Sequence, residues 1–177
     1  MKILDSATHY GKATKILHWI RLLFLVWLLI LVKTSYINLH KAFGIIFFVF
    51  VVGTIVWRII NVNPKTVKTN VVERNIQVLI YFLMYFLLFF MPIVGYLSSF
   101  KAINFGFFIL PSIYELQWVD PFFNNVLFID KYTFRYLMQL IHTDIMVISL
   151  YLLVGIHVLA VVFNHFVRKN GNIKHMM

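Results

Sequence analysis

Four long stretches of this chain carry almost no charge, and nothing else in the sequence limits the fold so tightly. They cover about residues 15–33, 37–60, 75–100 and 135–167. Within them, Ala42–Trp57, Asn75–Phe100 and Ile145–Val167 contain no Asp, Glu, Lys or Arg. Each stretch reaches or approaches the roughly 20 residues needed to cross a hydrocarbon core about 30 Å thick. Lipid offers no partner to an open backbone N–H or C=O, so a crossing segment must be helical. The expected fold is all-α: a transmembrane four-helix bundle, in one membrane-embedded domain over residues 1–177.

Composition agrees. The chain is 62% hydrophobic and 12% charged, against about 25% charged in a soluble domain. Its net charge of +10 sits at the ends of the apolar runs, which is membrane-flanking charge rather than a nucleic-acid surface. Lys2, Lys12, Lys15, Arg58, Lys65, Lys68, Arg74, Arg168, Lys169 and Lys174 fall on one side of the expected bundle. Lys33, Lys41, Lys101, Lys131 and Arg135 fall on the other, diluted by Glu115, Asp120 and Asp130. The positive-inside rule then puts both termini in the cytoplasm. No small-x-small cleavage site follows the first run, which reads as a retained helix. The long connection from about 101 to 132 lies on the outer side. It is rich in Phe and Ile and carries Trp118, so it lies along the membrane surface or caps the bundle.

Cysteine is absent. That excludes disulfides, thiolate metal sites, iron–sulfur clusters and covalently attached haem, which needs Cys-x-x-Cys-His. Five of the six carboxylates (Asp5, Glu73, Glu115, Asp120, Asp130) read as loop or terminal residues, leaving histidine as the main ligand pool.

Histidine is uncommon inside a membrane helix and usually faces the bundle interior. Four of the seven fall at two depths. His18 lies one turn inside the cytoplasmic end of the first helix, and His157 lies in the cytoplasmic half of the fourth. His40 opens the second helix at the outer side, and His142 opens the fourth there. Each pair is placed to supply two axial nitrogens to a b-type haem, so the cofactor expected is two non-covalent haem b groups. The fifteen residues from His142 to His157 give a rise of about 22 Å and a rotation of about 60° if the helix is α throughout. His9, His165 and His175 read as end or interfacial residues. Haem propionates need cations; Arg21 is the candidate on the inner side and Lys41 on the outer, with Lys15, Arg168, Lys131 and Arg135 as further possibilities. Asp144, two residues after His142, reads equally as a second-shell group or as a wet carboxylate at a helix start.

These residues resemble the bacterial cytochrome b561 family and, more loosely, the cytochrome b subunits of nickel–iron hydrogenases. The resemblance rests on His18-Trp19, on Leu39-His40-Lys41-Ala42-Phe43-Gly44, and on Trp57-Arg58 followed by Pro64. It continues through Met91-Pro92-Ile93-Val94-Gly95, Phe105-Gly106, Leu110-Pro111, Gly155-Ile156-His157, Asn164-His165-Phe166 and the tail from Gly171 to Met176. Gln77 stands where the family often has histidine four residues before a tyrosine, and Thr54 stands where it often has arginine. The resemblance implies that His18, His40, His142 and His157 are the iron ligands. It also implies a bacterial inner-membrane location and electron exchange with membrane quinone. Some relatives are similar to superoxide oxidases, which pass electrons from superoxide to ubiquinone, and this makes a superoxide:quinone oxidoreductase one expectation. Two alternatives stand beside it: a cytochrome b anchor serving a partner oxidoreductase, and a small transporter without haem.

Overall fold

The computed structural model describes residues 3–6, 10–61, 70–123 and 128–167. The sequence readings that fall on His9, Pro64, Arg168, His175, the basic residues Lys2, Lys65, Lys68, Lys169 and Lys174, and the tail motif lie outside these residues.

Helix α1 spans Lys12–Val32, α2 spans Ile37–Ile60, and α3 spans Val71–Leu97. A short helix, α4, covers Val119–Phe122. The last crossing is a continuous rod of 36 residues, Lys131–Phe166. It is α-helical over Lys131–Leu140 (α5), π-helical over Ile141–Met146, and α-helical again over Val147–Phe166 (α6). Four helices are thus long and apolar enough to cross a membrane, as expected. Three boundaries move. The first helix begins at 12 rather than 15, the third covers 71–97 rather than 75–100, and the last begins at 131 rather than 135. Caps explain two of these shifts. Asn70 accepts from the Glu73 N–H at 2.8 Å and so starts α3 early, and Asp130 accepts from the N–H groups of Tyr132 and Thr133 and starts α5. Such side chains satisfy the orphan donors of a first turn.

The helices pack in sequence: α1 on α2, α2 on α3, and α3 on the last rod. Side chains from all four meet in a central layer of Leu28, Phe47, Val51, Leu87, Leu88, Met146 and Leu150. Most other apolar side chains point outward; Leu23, Ile59 and Phe82 are 68%, 76% and 62% exposed. In lipid this is the stable arrangement, because association there rests on close packing and not on escape from water.

Each end of the bundle is closed differently. At the end where α1 begins and α2 finishes, Asp5, a terminal residue as read from the sequence, is buried. Its carboxylate accepts from the Gly11 N–H at 2.6 Å and from the Thr14 hydroxyl at 2.9 Å, and lies 3.8 Å from the Arg58 guanidinium. Trp57 Nε1 donates to Thr14 in turn. At the opposite end the described residues of the connection, 98–123 and 128–130, cap the bundle. A two-stranded hairpin, β1 (Ile103–Asn104) and β2 (Ile109–Leu110), is followed by a 3₁₀ turn at Ile113–Glu115 held by a Ser112/Glu115 capping box. Tyr114 stacks on Phe100 at 5.1 Å and donates to the Leu97 carbonyl at 2.6 Å. Burial pushes its phenol up to about 12. Tyr114, Val119 and Phe123 form a second small core against the start of α5.

Candidate functional site

The four membrane histidines meet as two pairs, one on each side of the central layer. The His18 and His157 ring centres are 6.5 Å apart, and those of His40 and His142 are 6.4 Å apart. These are the pairings that depth alone indicated. Asymmetry in the supports then separates the two sites.

His40 Nδ1–H donates to the Leu28 carbonyl at 2.9 Å, and His142 Nδ1–H donates to the Met91 carbonyl at 3.0 Å. A carbonyl only accepts, so each Nδ1 carries the proton and each Nε2 keeps its lone pair free to bind a metal. Such an outer bond also fixes the ring's orientation. His142 is further seated against Gly95: a Cβ built there would lie 2.8 Å from its Cε1. No side chain but hydrogen leaves room for the imidazole. At the other site, His18 packs edge-on to Trp19 at 5.8 Å, and His157 packs edge-on to Tyr81 at 6.2 Å.

Do these residues fit a haem? A metal–imidazole bond is about 2 Å, and the ring centre lies roughly 1 Å behind the nitrogen, so two imidazoles on opposite faces of one metal hold their centres roughly 6 Å apart. Both pairs meet that spacing. Among the described residues no cluster of three or more His, Cys, Asp or Glu exists to hold a metal. Two protein donors complete an iron only when a macrocycle brings the rest of the coordination sphere, as haem does. Gly44, one turn beyond His40, has no neighbour within 4 Å of a built Cβ, so the helix face there stays thin. Gly155, by contrast, is exposed and about 160° around the helix from His157, and plays no part in this face.

Arg21 lies within electrostatic reach of His18. Its guanidinium stacks over Tyr85 at 4.9 Å, while its Nε is buried without a hydrogen-bond partner among the described residues. An acceptor group there would satisfy a buried donor that is costly to leave open. Lys41 shares its end of the bundle with Lys101 and Arg135, near enough for their charges to interact. Lys131 is not free to join them: its ammonium is 2.9 Å from Asp120. Asp144 accepts from the Thr143 hydroxyl at 2.9 Å and is exposed, but it lies inside the rod that starts at Lys131, so it is not the helix-start carboxylate that the sequence offered. His165 packs on Phe166 at 4.8 Å, away from both pairs.

The family model of prokaryotic cytochrome b561 matches residues 9–177. The chain belongs to this family. It is therefore a membrane b-type cytochrome of electron transfer that binds haem b, a multi-pass protein of the bacterial inner membrane. Membership sets aside the transporter reading. No curated protein matches the chain.

What the sequence did not reveal was the support around the rings. The Met91 carbonyl and Gly95 reach His142 from a helix some fifty residues earlier, and Leu28 reaches His40 from its neighbour. Met91-Pro92-Ile93-Val94-Gly95 was visible as a motif, but its contact with His142 is a property of packing.

Proposed function

We propose that this cytochrome is a two-haem electron carrier, in which His18 and His157 would hold one haem and His40 and His142 the other. The carrying observation is the pair of ring separations, 6.5 and 6.4 Å, each suited to one iron and each built from a different pair of helices. A bound b haem supplies a one-electron iron couple, whose potential the protein tunes through its ligands and surroundings. The rest is the chain's own work. Backbone carbonyls hold the Nδ1 protons of His40 and His142, which leaves each Nε2 lone pair free to bind a metal. Arg21 and Lys41 supply cations for propionates at the two levels. Aliphatic and aromatic side chains of the central layer keep water from between the sites.

The orientation follows from the loop charges: both termini face the cytoplasm and the aromatic cap faces outward. Lys41, Lys101 and Arg135 then form an outer cationic cluster suited to an anionic electron donor. Of the acids in the 98–130 connection, Asp120 is paired with Lys131, and Glu115 accepts from the Ser112 N–H. The cluster supports superoxide as donor, and family membership supports membrane quinone as acceptor. A second reading, a membrane anchor for a partner oxidoreductase, draws on the exposed aromatics of the cap: Phe107 is 92% exposed and Trp118 63%. Co-purification of a soluble redox subunit would favour it.

The deciding experiment is a dithionite-reduced minus oxidised spectrum of the purified protein, with pyridine haemochrome quantification per chain. Two haems per chain are expected, falling to one in His18→Ala and in His142→Ala and to none in the double variant. One haem in the unaltered protein would sink the two-site reading.

A further inference from the structure

The last rod departs from α geometry in one place. Residues Ile141–Met146 are π-helical, and His142 sits inside that turn. A π turn closes its hydrogen bonds one residue further along the chain, holds roughly one residue more than an α turn, and recurs at functional sites.

The geometry on either side shows what it accomplishes. Met146 and Leu150 are buried in the central layer, 6% and 2% exposed. They fix which face of the rod looks inward. At about 100° per residue, His157 lies within about 20° of Met146 around the axis, so it shares that face. Continued backward as pure α-helix, the same rod would put His142 about 60° from His157, on the other side of the Met146 stripe. Four steps at the π rate of about 80° per residue bring the two histidines within about 20° of each other. The imidazole then meets the Met91 carbonyl, Gly95 and His40 together. The residues thrown outward by the wide turn, Thr143, Asp144 and Ile145, are all exposed. The one Thr143 hydroxyl proton lies between the Gln139 carbonyl at 3.0 Å and the Asp144 carboxylate at 2.9 Å, where the ladder changes pitch.

We infer that the π turn is a one-residue register device: it takes up an extra residue in the last helix so that His142 and His157 present to one face. The inference rests on reading the four histidines as haem ligands.

Deletion and insertion test it asymmetrically. Ile145 is exposed and outside the core, so its deletion removes no core side chain and lets the rod relax to continuous α-helix. His142 then turns by only about 20° and stays within reach of His40. An alanine inserted after Thr143 demands a second extra residue in the same place. Haem per chain is measured by pyridine haemochrome, and low-spin signals by electron paramagnetic resonance, on the purified full-length protein. The deletion is expected to keep two haems and both low-spin signals. The insertion is expected to keep one haem, and adding His142→Ala to it changes nothing further. One haem in the deletion, or two in the insertion, overturns the inference. If the Ile145 deletion does not yield folded protein, deletion of Thr143 makes the same test. A wild-type protein without haem defeats the ligand reading itself. Two haems in the wild type, with one lost on deletion, defeats the register device alone.

Discussion

Gly95 is the residue on which one histidine site turns. A methyl group there would lie 2.8 Å from His142 Cε1 and 3.1 Å from its Nδ1, so Gly95→Ala must push the ring off the Met91 carbonyl. Overpacking of this kind costs about 1–3 kcal/mol, which corresponds to about a 5- to 150-fold weaker hold on the haem at that site. The expected outcome is loss of one haem during purification, or a shifted low-spin signal, with the His18/His157 site unchanged. Gly155→Ala is the control, since nothing lies within 4 Å of its built Cβ; an equal effect there would remove the steric explanation. The two histidine pairs were legible because depth in a membrane follows directly from position along an apolar helix. The seat of His142 was not, because it joins residues from two helices that only packing brings together.

At the scale of elements, the ends of the helices carried more structure than their sequence announced. Asp5 read as a terminal carboxylate because nothing local marks burial; its partners Gly11 and Thr14 lie on the next element, and Arg58 lies at the end of α2. Asp5→Ala leaves those donors open, and each buried unsatisfied group costs roughly 1–3 kcal/mol. Thermal denaturation in detergent should therefore fall clearly for Asp5→Ala and less for Asp5→Asn. An unchanged transition would mean that this segment contributes nothing to the fold. Asp130, at the opposite end, makes a prediction about acid. The Thr133 hydroxyl, the Thr133 N–H and the Tyr132 N–H hold its carboxyl below the usual carboxylate range. A carboxyl whose folded value is depressed stabilises the fold above its unfolded value, near 4, and loses that contribution as pH falls through the folded value. The first turn of α5 should fray in acid, seen as faster amide exchange at Tyr132 and Thr133. Asp130→Asn, which still caps a helix, should abolish the acid response. Helix existence was legible from uncharged runs, while the caps at Asn70 and Asp130 and the π turn were not. A hydrophobicity pattern carries no record of where a hydrogen-bond ladder changes pitch.

For the molecule as a whole, the proposed entry of electrons from an anionic donor rests on the distribution of charge, and it is open to test. The outer basic residues read from the sequence were equivalent points; folding separates them. Lys131 is neutralised by Asp120, and Arg135 stacks over Phe100 and donates to Gln139 while remaining within range of Lys41. Lys41, Lys101 and Arg135 therefore act as one field at the end that holds the His40/His142 pair. A field of this sign raises the encounter rate of an anion and is screened by salt, with a Debye length of about 10 Å at 0.1 M. Reduction of the cytochrome by a small anionic one-electron donor, followed in the haem bands by stopped flow, should slow as ionic strength rises. Lys101→Glu should lower the low-salt rate by about tenfold, within the range that steering supplies, and flatten the salt dependence. Removing Lys131 and Asp120 together, as Lys131→Gln with Asp120→Asn, should leave the rate nearly unchanged because that pair contributes no net charge. A rate indifferent to salt would place the anionic donor elsewhere and leave the exposed aromatics of the cap, with a protein partner docked on them, as the better account of how electrons enter.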